Sequence, residues 1–547
     1  MFPPSPALIA YTFIRMIPIN GPRPLANVSH CFSSPQRSAF GGSFSIARPS
    51  LSMVLSDFAH LDPQNSVPFR LRIDGRWVLV DERLLRAHPG SGAMLAYRNK
   101  EASTVFHTFH AGSKLAYKWM TEHRDQAGDS SGDTAAKVAD KTLVENGKKH
   151  DIGAQDKIDG INMGKFSKSP EINEKICQSF DHLRCRVREL GLLSADNTFF
   201  VRKFAEAVAL IAFAVFLQSR TYFFASALTM GLAFQQLGWM IHEYGHQQHF
   251  GSRWWNDACG YVCGNLMQGF SLGGWKEQHN VHHAAPNVDG RDGDLDLLPL
   301  WATVGTQLKR VDGTSPLAQL LPFQHLYWTF MLPMLRISWL LQSIQFAVQT
   351  RHSFYDIHRE RALVEQLTLA LHWTLVLIQY YYLPDNLTRL QYFLVSNLFA
   401  GFLIAHVVTY NHYSADKFAY DDPILENYAC LQLYTTRNMR PGLVIDWLWG
   451  GLNYQIEHHL FPTMPRHNLK KAINTLDHSA FCNKLYSLLL FVQVMPLVKQ
   501  FCAENDVPYM VDDYFTGFRL VIEHLRRVAE AATDTLCSSQ NHCGKGA

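Results

Sequence analysis

Long apolar runs occupy the second part of this chain, whereas its first third is polar. Four of these runs, rich in Phe, Tyr and Trp, approach the length of about 20 residues that a helix needs to cross a membrane. They span residues 204–218, 222–241, 364–383 and 390–410. Short polar links join the runs in pairs. Because backbone in lipid must satisfy its own hydrogen bonds, we predict two helical hairpins.

Three groups of histidines follow the apolar runs, in the patterns HxxxH (242–246), HxxHH (279–283) and QxxHH (455–459). Neutral imidazole is a common ligand of first-row transition metals. Seven imidazoles are too many for one tetrahedral zinc ion, and they suit two six-coordinate metals such as oxygen-activating iron. The predicted ligands are His242, His246, His279, His282, His283, His458 and His459. His412, at the end of the fourth run, is the candidate eighth ligand, and His406, nearly two turns deeper, is the alternative.

A fifth apolar run, residues 326–348, differs from the others because it carries Pro333, Arg336 and several glutamines. If it crossed the membrane, the third histidine group would lie on the face opposite to the first two. Arginine is costly at the bilayer centre and tolerated at the interface. We therefore predict four crossings, with this run in the interface and with the three histidine groups and both termini on one side.

The polar N-terminal part contains a second candidate metal site. Residues 73–80 alternate as a strand pair around an Asp74-Gly75 turn. A His-Pro-Gly loop follows at His88, and His110 lies further on among apolar residues. Two such histidines could hold a haem iron from opposite faces, although the spacing alone favours two ordinary loop histidines.

The remaining segments complete the predicted organisation. Residues 121–175 are rich in Asp, Gly, Lys and Ser and cannot bury enough apolar surface to fold, so we predict a flexible tether that lets residues 61–120 swing toward a second site. Residues 1–60 are a predicted unstructured extension and 531–547 a disordered tail. The membrane domain is predicted to span 176–530 and to end in a cytosolic cap.

Composition argues against nucleic-acid binding and indicates a reducing environment. The net charge of +3, with dispersed Lys and Arg, gives no nucleic-acid-binding face. Ten cysteines without a CxxC pair indicate free thiols on a reducing side.

These motifs together resemble those of a known family. Residues from about 199 to 515 resemble the membrane fatty-acyl desaturases, which carry three histidine boxes of these forms. The box that begins with Gln455, combined with the N-terminal unit, is similar to the front-end desaturases, as are the stretches 235–239, 293–296 and 447–454. Residues 61–120 resemble a cytochrome b5-like domain. Ser91 stands where that domain usually has the second glycine of its loop.

The resemblance implies a mainly α fold: a multi-pass helical membrane desaturase domain with four transmembrane helices and a small α+β cytochrome b5-like domain. It implies two iron ions and haem b, with His88 and His110 as axial ligands and His107 as the less favoured alternative to His110. The implied catalytic residues are the seven box histidines and Gln455. The implied location is the endoplasmic reticulum membrane, with the boxes and both termini cytosolic.

The implied reaction inserts a cis double bond, at the delta-6 or delta-5 position, into a polyunsaturated acyl chain carried on CoA or a phospholipid. It uses O2 and electrons from an NADH-dependent cytochrome b5 reductase. The boxes do not distinguish delta-5 from delta-6, which depends on the depth of the acyl tunnel. The alternatives are a sphingolipid desaturase, a fatty acyl hydroxylase and a catalytically inactive membrane haem protein.

Overall fold

The computed structural model describes residues 68–111, 113–122, 157–311, 315–470 and 494–543, the last ten of these by their backbone alone. The predictions for residues 1–60 and for most of the 121–175 tether lie outside these ranges. The described chain is mainly helical, as predicted.

The N-terminal unit is small and mixed in secondary structure. Strands β1 (Phe69–Ile73) and β2 (Arg76–Val80) pair antiparallel around Asp74 and Gly75. Both turn residues have positive φ, 51° and 72°, as a type I′ hairpin requires. Four short helices follow: α1 (Glu82–Ala87), α2 (Ser91–Ala96), α3 (Ser103–Phe109) and α4 (Lys114–Glu122).

Two segments predicted to lack structure are partly helical. Helix α5 (Pro170–Glu189) begins inside the predicted tether, where Ser169 accepts a hydrogen bond from the Ile172 amide and Pro170 occupies the first turn. The last helix, α18 (Tyr514–Cys543), runs through most of the predicted tail. Its buried residues Val521, Leu525, Val528 and Ala532 recur at helical spacing. The disorder prediction for residues 531–543 was therefore wrong.

The four strongest apolar runs are long helices, as predicted. They are α6 (Asn197–Ser219), α7 (Phe223–Gly245), α12 (Asp356–Tyr381) and α13 (Asn386–His412). Within the described part of the chain, α12 and α13 are the two helices long and apolar enough to cross a membrane. Helices α7 and α13 pack closely, because a Cβ on Gly231 would lie 2.7 Å from the Ser396 carbonyl oxygen.

The fifth apolar run is broken rather than continuous. It forms α10 (Gln324–Met331), a 3-10 turn (Leu332–Met334) and α11 (Leu335–Gln349). The break falls at Pro333, which removes a helical hydrogen bond. We had expected Arg336 at a solvated interface, but its side chain is buried in the protein and only 2% exposed. Its Nε donates to Asn397 Oδ1 (3.0 Å), its Nη2 donates to the Gln268 carbonyl (2.6 Å), and these bonds offset its burial.

Short elements connect the long helices and carry several of the histidines. Helix α8 (Arg253–Gly260) continues into a π-helical segment (Tyr261–Gln268), followed by α9 (Leu272–Ala284). After α13 come α14 (Tyr428–Thr435), β3 (Asn438–Met439), α15 (Leu443–Leu448), α16 (Gln455–Leu460), α17 (Val494–Glu504) and β4 (Val511–Asp512). Strands β3 and β4 pair in parallel. This pairing anchors the segment before α16 to the segment before α18.

Candidate metal centre

The predicted ligands lie near the C-terminal ends of four helices. His242 lies in the last turn of α7, and His246 follows that helix directly. The second box fills the end of α9, His412 ends α13, and His458 and His459 lie in the six-residue helix α16. Helix C-termini carry partial negative charge, which favours a cation. Four elements that are distant in sequence thus direct imidazoles at one place.

The eight imidazoles form two groups, within each of which the potential ligand atoms lie within 4.8 Å of one another. The five-histidine group contains His242, His246, His279, His283 and His458. The three-histidine group contains His282, His412 and His459. The rings of His283 and His459 stack at 4.1 Å between centroids, so the two groups adjoin. The structure therefore brings all three boxes and His412 together.

Hydrogen bonds fix which nitrogen each member of the three-histidine group presents. The Nδ1 atoms of His282, His412 and His459 lie 2.9 Å from Asp292 Oδ2, 3.0 Å from the Thr435 carbonyl and 2.9 Å from Gln432 Oε1. These oxygens only accept, so each Nδ1 must carry the proton. In its neutral form each ring then presents Nε2 as the atom that can bind a metal, an arrangement that commonly orients metal-binding histidines.

The five-histidine group contains contacts that suit a bound cation. His283 Nε2 lies 3.0 Å from His279 Nε2 and 3.1 Å from His458 Nε2. Lone pairs that face each other at this distance repel unless a proton or a metal ion lies between them. The Nε2 atom of His246, and in the three-histidine group that of His459, is buried and has no hydrogen-bond partner in the described part of the chain. The residues present therefore fit a pair of metal ions.

Two carboxylates place negative charge beside these imidazoles. Asp292 is 2% exposed and accepts from the Asn287 amide as well as from His282. Burial raises the pKa of Asp294, but its hydrogen bond with His279 and the nearby imidazoles outweigh this effect and lower the pKa below its ordinary value. The site thus keeps anionic charge that would partly neutralise bound cations.

Gln455 and His406 occupy different environments. The Gln455 amide lies 3.0 Å from His412 Nε2, and Gln455 Oε1 accepts from Asn411. The glutamine thus faces the smaller group, at the position where the HxxHH form of this box would add an imidazole. His406 lies outside both groups: its Nδ1 donates to the Phe402 carbonyl, and its ring stacks on Phe518 at 5.9 Å. Of the two alternatives, the structure places His412 at the centre.

An apolar cavity adjoins the histidines and was only partly foreseen from sequence. Its walls come from α7, α9, α13 and the broken segment α10–α11. His282, His412 and Gln455 lie at the histidine end, and Phe270 and Phe346 also line it. The segment predicted to rest in the membrane interface thus supplies one wall, with residues Met331, Leu335, Ser338, Trp339, Gln342 and Phe346. Its Pro and Gln content was the sequence signal that it differs from a plain crossing.

The two N-terminal histidines also face each other. Their ring centroids are 5.7 Å apart, which leaves room for one ion at metal–nitrogen distances of about 2 Å. His88 Nδ1 accepts from the Gly90 amide (3.1 Å), and His110 Nδ1 donates to the Phe106 carbonyl (2.8 Å), so both Nε2 atoms remain available. Burial, with the charges of His110 and Arg253, lowers the pKa of His88 to about 3. The ring therefore stays neutral and able to ligate.

His107 and Ser91 can now be compared with what the sequence predicted. Both ring nitrogens of His107 are engaged, with the Tyr117 hydroxyl (2.8 Å) and Asp74 Oδ1 (2.7 Å), so this ring is not available as an axial ligand. Ser91 is the first residue of α2, in ordinary helical backbone that any residue adopts without strain. The residues present fit a haem held by His88 and His110.

Imidazole-rich groups at helix ends beside an apolar cavity define a metal-dependent enzyme that acts on an apolar chain. The sequence model of the fatty acid desaturase family matches residues 219–486. The Delta(5) fatty acid desaturase fat-4 of Caenorhabditis elegans is 52% identical over 472 residues, 86% of this chain and 98% of that protein. The Delta(6)-fatty-acid desaturase fat-3 of the same organism is 40% identical, covering 85% and 98%. The Delta(8)-fatty-acid desaturase of Euglena gracilis is 34% identical, covering 65% and 80%.

The chain therefore belongs to the fatty acid desaturase family. The prediction of an oxidoreductase of this class is confirmed. Membership implies iron, a fatty acyl substrate and O2, and it agrees with the two apolar helices that could cross a membrane.

Proposed function

We propose that this protein is a front-end desaturase that introduces a cis delta-5 double bond into a polyunsaturated fatty acyl chain. The observation that carries the proposal is the pair of histidine groups beside an apolar cavity. The delta-5 assignment is supported by 52% identity to a delta-5 enzyme, against 40% to a delta-6 enzyme. Delta-6 activity is the second candidate.

The overall reaction converts one –CH2–CH2– pair into –CH=CH– and reduces O2 to two waters, with two added electrons and two protons. When bound, a pair of iron ions supplies the oxygen activation that unactivated C–H bonds require, because side-chain acids and bases cannot attack such bonds. The five-histidine group and the three-histidine group would each hold one ion.

Residues of the protein bind the acyl chain, orient the imidazole rings and exclude water from the site. The cavity walls would hold the acyl chain extended past His282 and His412, and this fixed position selects which carbons react. Asp292, Gln432 and the Thr435 carbonyl hold three rings in the ligating orientation. Trp275 stacks on His279 at 4.4 Å between centroids and covers that side of the centre.

The short third-box helix is positioned by a buried carboxylate. Glu457 accepts from the Asn438 amide group (2.8 Å) and the Tyr509 hydroxyl (2.5 Å). Burial raises the pKa of Glu457 above its ordinary value, although these two donors oppose the shift. These bonds join α16 to the paired strands β3 and β4, so His458 and His459 project from a fixed support.

Four membrane crossings, with the boxes and both termini at the cytosolic face of the endoplasmic reticulum, complete the proposal. In this arrangement α6–α7 and α12–α13 are the two hairpins, and the histidines converge where α7 and α13 end. Support comes from apolar side chains that no protein covers, which lipid would cover. On α12 these are Leu363, Leu367, Leu371, Leu375 and Ile378, each about half exposed.

Electrons would enter through a haem b held by His88 and His110, supplied by an NADH-dependent cytochrome b5 reductase. The neutral state of His88, the short distance between the two rings and their available Nε2 atoms support this assignment. The acyl group is carried by CoA or by a phospholipid, and both carriers present the same apolar chain to the cavity.

Expression in a yeast that lacks polyunsaturated fatty acids tests the proposal. Dihomo-gamma-linolenate and linoleate are fed separately, and new double bonds are located by mass spectrometry. We expect a delta-5 bond in the first acid and no new bond in the second. A delta-6 bond in linoleate would establish the second candidate, and hydroxylated or sphingoid products would contradict both.

A matched pair of variants tests the site itself. His459→Ala removes a buried ligand of the three-histidine group and should abolish product while leaving the haem absorbance intact. His352→Ala, an exposed histidine outside both groups, should behave as the unmodified protein. Product from His459→Ala at the normal rate would show that the assigned site is wrong.

A further inference from the structure

The haem-binding unit touches the second histidine box directly. Helix α2, which follows the His88-Pro89-Gly90 loop, packs against α9, which carries His279, His282 and His283. Tyr97, the residue after α2, is 3% exposed. Its hydroxyl donates to the Ala284 carbonyl at 2.8 Å, and Ala284 directly follows His283. One hydrogen bond therefore joins the end of the helix that follows the His88 loop to the residue that follows the second histidine box.

The surrounding contact is apolar and continuous. Buried residues of the N-terminal unit, including Leu85 and Phe106, belong to the same hydrophobic cluster as Ala284, Ala285 and Phe354 of the membrane domain. An interface that shares a core in this way opposes independent motion of the two units.

Cations of both units reinforce the contact at its edges. The Arg86 guanidinium lies 4.7 Å from the Phe354 ring centroid, and Lys100 Nζ lies 4.9 Å from that of Tyr420. Arg291 of the membrane domain lies 3.8 Å from the same Tyr420 ring. Cations over aromatic rings add attraction at such distances.

We infer that the haem-binding unit works from a fixed, docked position, and that Tyr97 is the positioning residue that couples it to the His279–His283 box. This inference rests on the proposed function, and it replaces the swinging carrier predicted from the tether. The Tyr97 hydroxyl suits this role because burial raises its pKa above the ordinary value for tyrosine, so the hydroxyl keeps its proton and can donate it in a hydrogen bond.

The chemistry explains why the position matters. A haem iron cycles between ferrous and ferric states and carries one electron at a time, so each desaturation needs two successive transfers. Each transfer oxidises the haem by one electron and reduces the metal centre by one electron, and the reductase restores the haem. Transfer through covalent and hydrogen bonds weakens less with distance than transfer across a gap. Loss of the Tyr97 hydroxyl therefore slows transfer without altering either metal site.

The experiment uses the full-length protein loaded with haem and iron. The haem is reduced without oxygen and then mixed with O2 and acyl substrate, and its reoxidation is followed by absorbance. For Tyr97→Phe we expect reoxidation at least about threefold slower, from the loss of one buried hydrogen bond. The haem content, the reduction rate by reductase and the KM for the acyl substrate should not change.

Tyr117→Phe is the matched control. It also removes one hydroxyl from the same unit, but its hydrogen-bond partner, His107, belongs to that unit. We expect normal reoxidation in this variant. Equal slowing of both variants, or normal reoxidation in Tyr97→Phe, would overturn the inference.

Two further measurements do not depend on turnover of a variant. Reoxidation in the unmodified protein should be independent of glycerol viscosity, whereas a swinging unit would slow in proportion to it and refute fixed docking. Amide hydrogen exchange, measured without catalysis, should show that Ser91–Ala96 are protected and that this protection decreases in Tyr97→Phe. Unchanged exchange would count against the coupling.

If the unmodified protein forms no desaturated product, the proposed function fails. If it forms product but these tests fail, only the docking inference falls.

Discussion

Asp257 gives the sharpest test of how the framework around the site is held. Its side chain is 4% exposed and lies among three cations: Lys276 at 2.7 Å, Arg253 at 3.4 Å, and Arg361, which donates to its second oxygen. These residues come from α8, α9 and α12, so one carboxylate ties the second-box helix to two neighbours. Asp257→Asn keeps the shape and removes the charge.

The structure sets the size of the expected effect. Burial raises the pKa of Asp257, but the charges of Lys276 and Arg361 outweigh this and lower it to about 2. A shift of nearly two units corresponds to roughly 2–3 kcal/mol. Breaking a buried pair costs about 3–5 kcal/mol when the partner stays charged. Burial already lowers the pKa of Lys276 to about 8, so this lysine can lose its proton in the variant and limit the loss. We expect a loss of about 3 kcal/mol.

The pH dependence follows from the direction of the shift. A lowered carboxyl pKa in the folded state gives stability that is present above the unfolded value near 4 and is lost as the pH falls toward 2. The part of the stability difference that comes from the Asp257 carboxyl should therefore be fully present near neutrality and shrink in acid.

Thermal unfolding in detergent, measured at several pH values, provides the assay. Asp356→Asn is the matched control, because Asp356 pairs with Arg359 at an exposed position and should cost less than about 1 kcal/mol. If the two variants were equally stable at neutral pH, the assignment of Asp257 as a buried anchor would be wrong.

Three further predictions concern the metal centre, the packing and the haem unit. Asp292→Asn should lower the iron content and the product rate by about 10- to 100-fold, because His282 loses the acceptor that orients it; normal iron content by elemental analysis would contradict this. Gly401→Ala should lower the free energy of unfolding by about 1–3 kcal/mol, because the new Cβ would lie 2.0 Å from the Pro333 carbonyl oxygen. Gly251→Ala is the control and should leave stability unchanged, because the space around Gly251 is open. Equal stability of the two variants in thermal unfolding would contradict the packing. His110→Ala should abolish haem absorbance while His107→Ala retains it, and the reverse result would reassign the second ligand to His107.

Sequence patterns predicted much of the fold because each element depends on local chemistry. The apolar runs predicted α6, α7, α12 and α13, and the Asp74-Gly75 pair predicted the hairpin. Boundaries were less accurate: α12 begins at Asp356, eight residues before the predicted start, through a charged turn that hydropathy does not register. The continuation of α18 past residue 530 was missed because Ala531 and Ala532 are buried only through packing with Leu308 and Leu321, which are distant in sequence.

The candidate metal centre, like the fold, could be predicted from the sequence only in part. The boxes gave seven of the eight imidazoles, because metal-binding residues cluster at recognisable spacing, and the end of the fourth apolar run gave His412. Their division into groups of five and three was not predictable, since it arises from the meeting of α7, α9, α13 and α16. Asp292, Gln432 and Thr435 were missed for the same reason: the role of the first two side chains, and of the Thr435 backbone carbonyl, depends on an imidazole ring from another element.

Iron analysis of the purified protein, combined with anomalous diffraction at the iron edge, tests the central claim most directly. The account predicts two non-haem iron ions per chain, one within the five-histidine group and one within the three-histidine group. A single ion, or ions located away from these imidazoles, would contradict it.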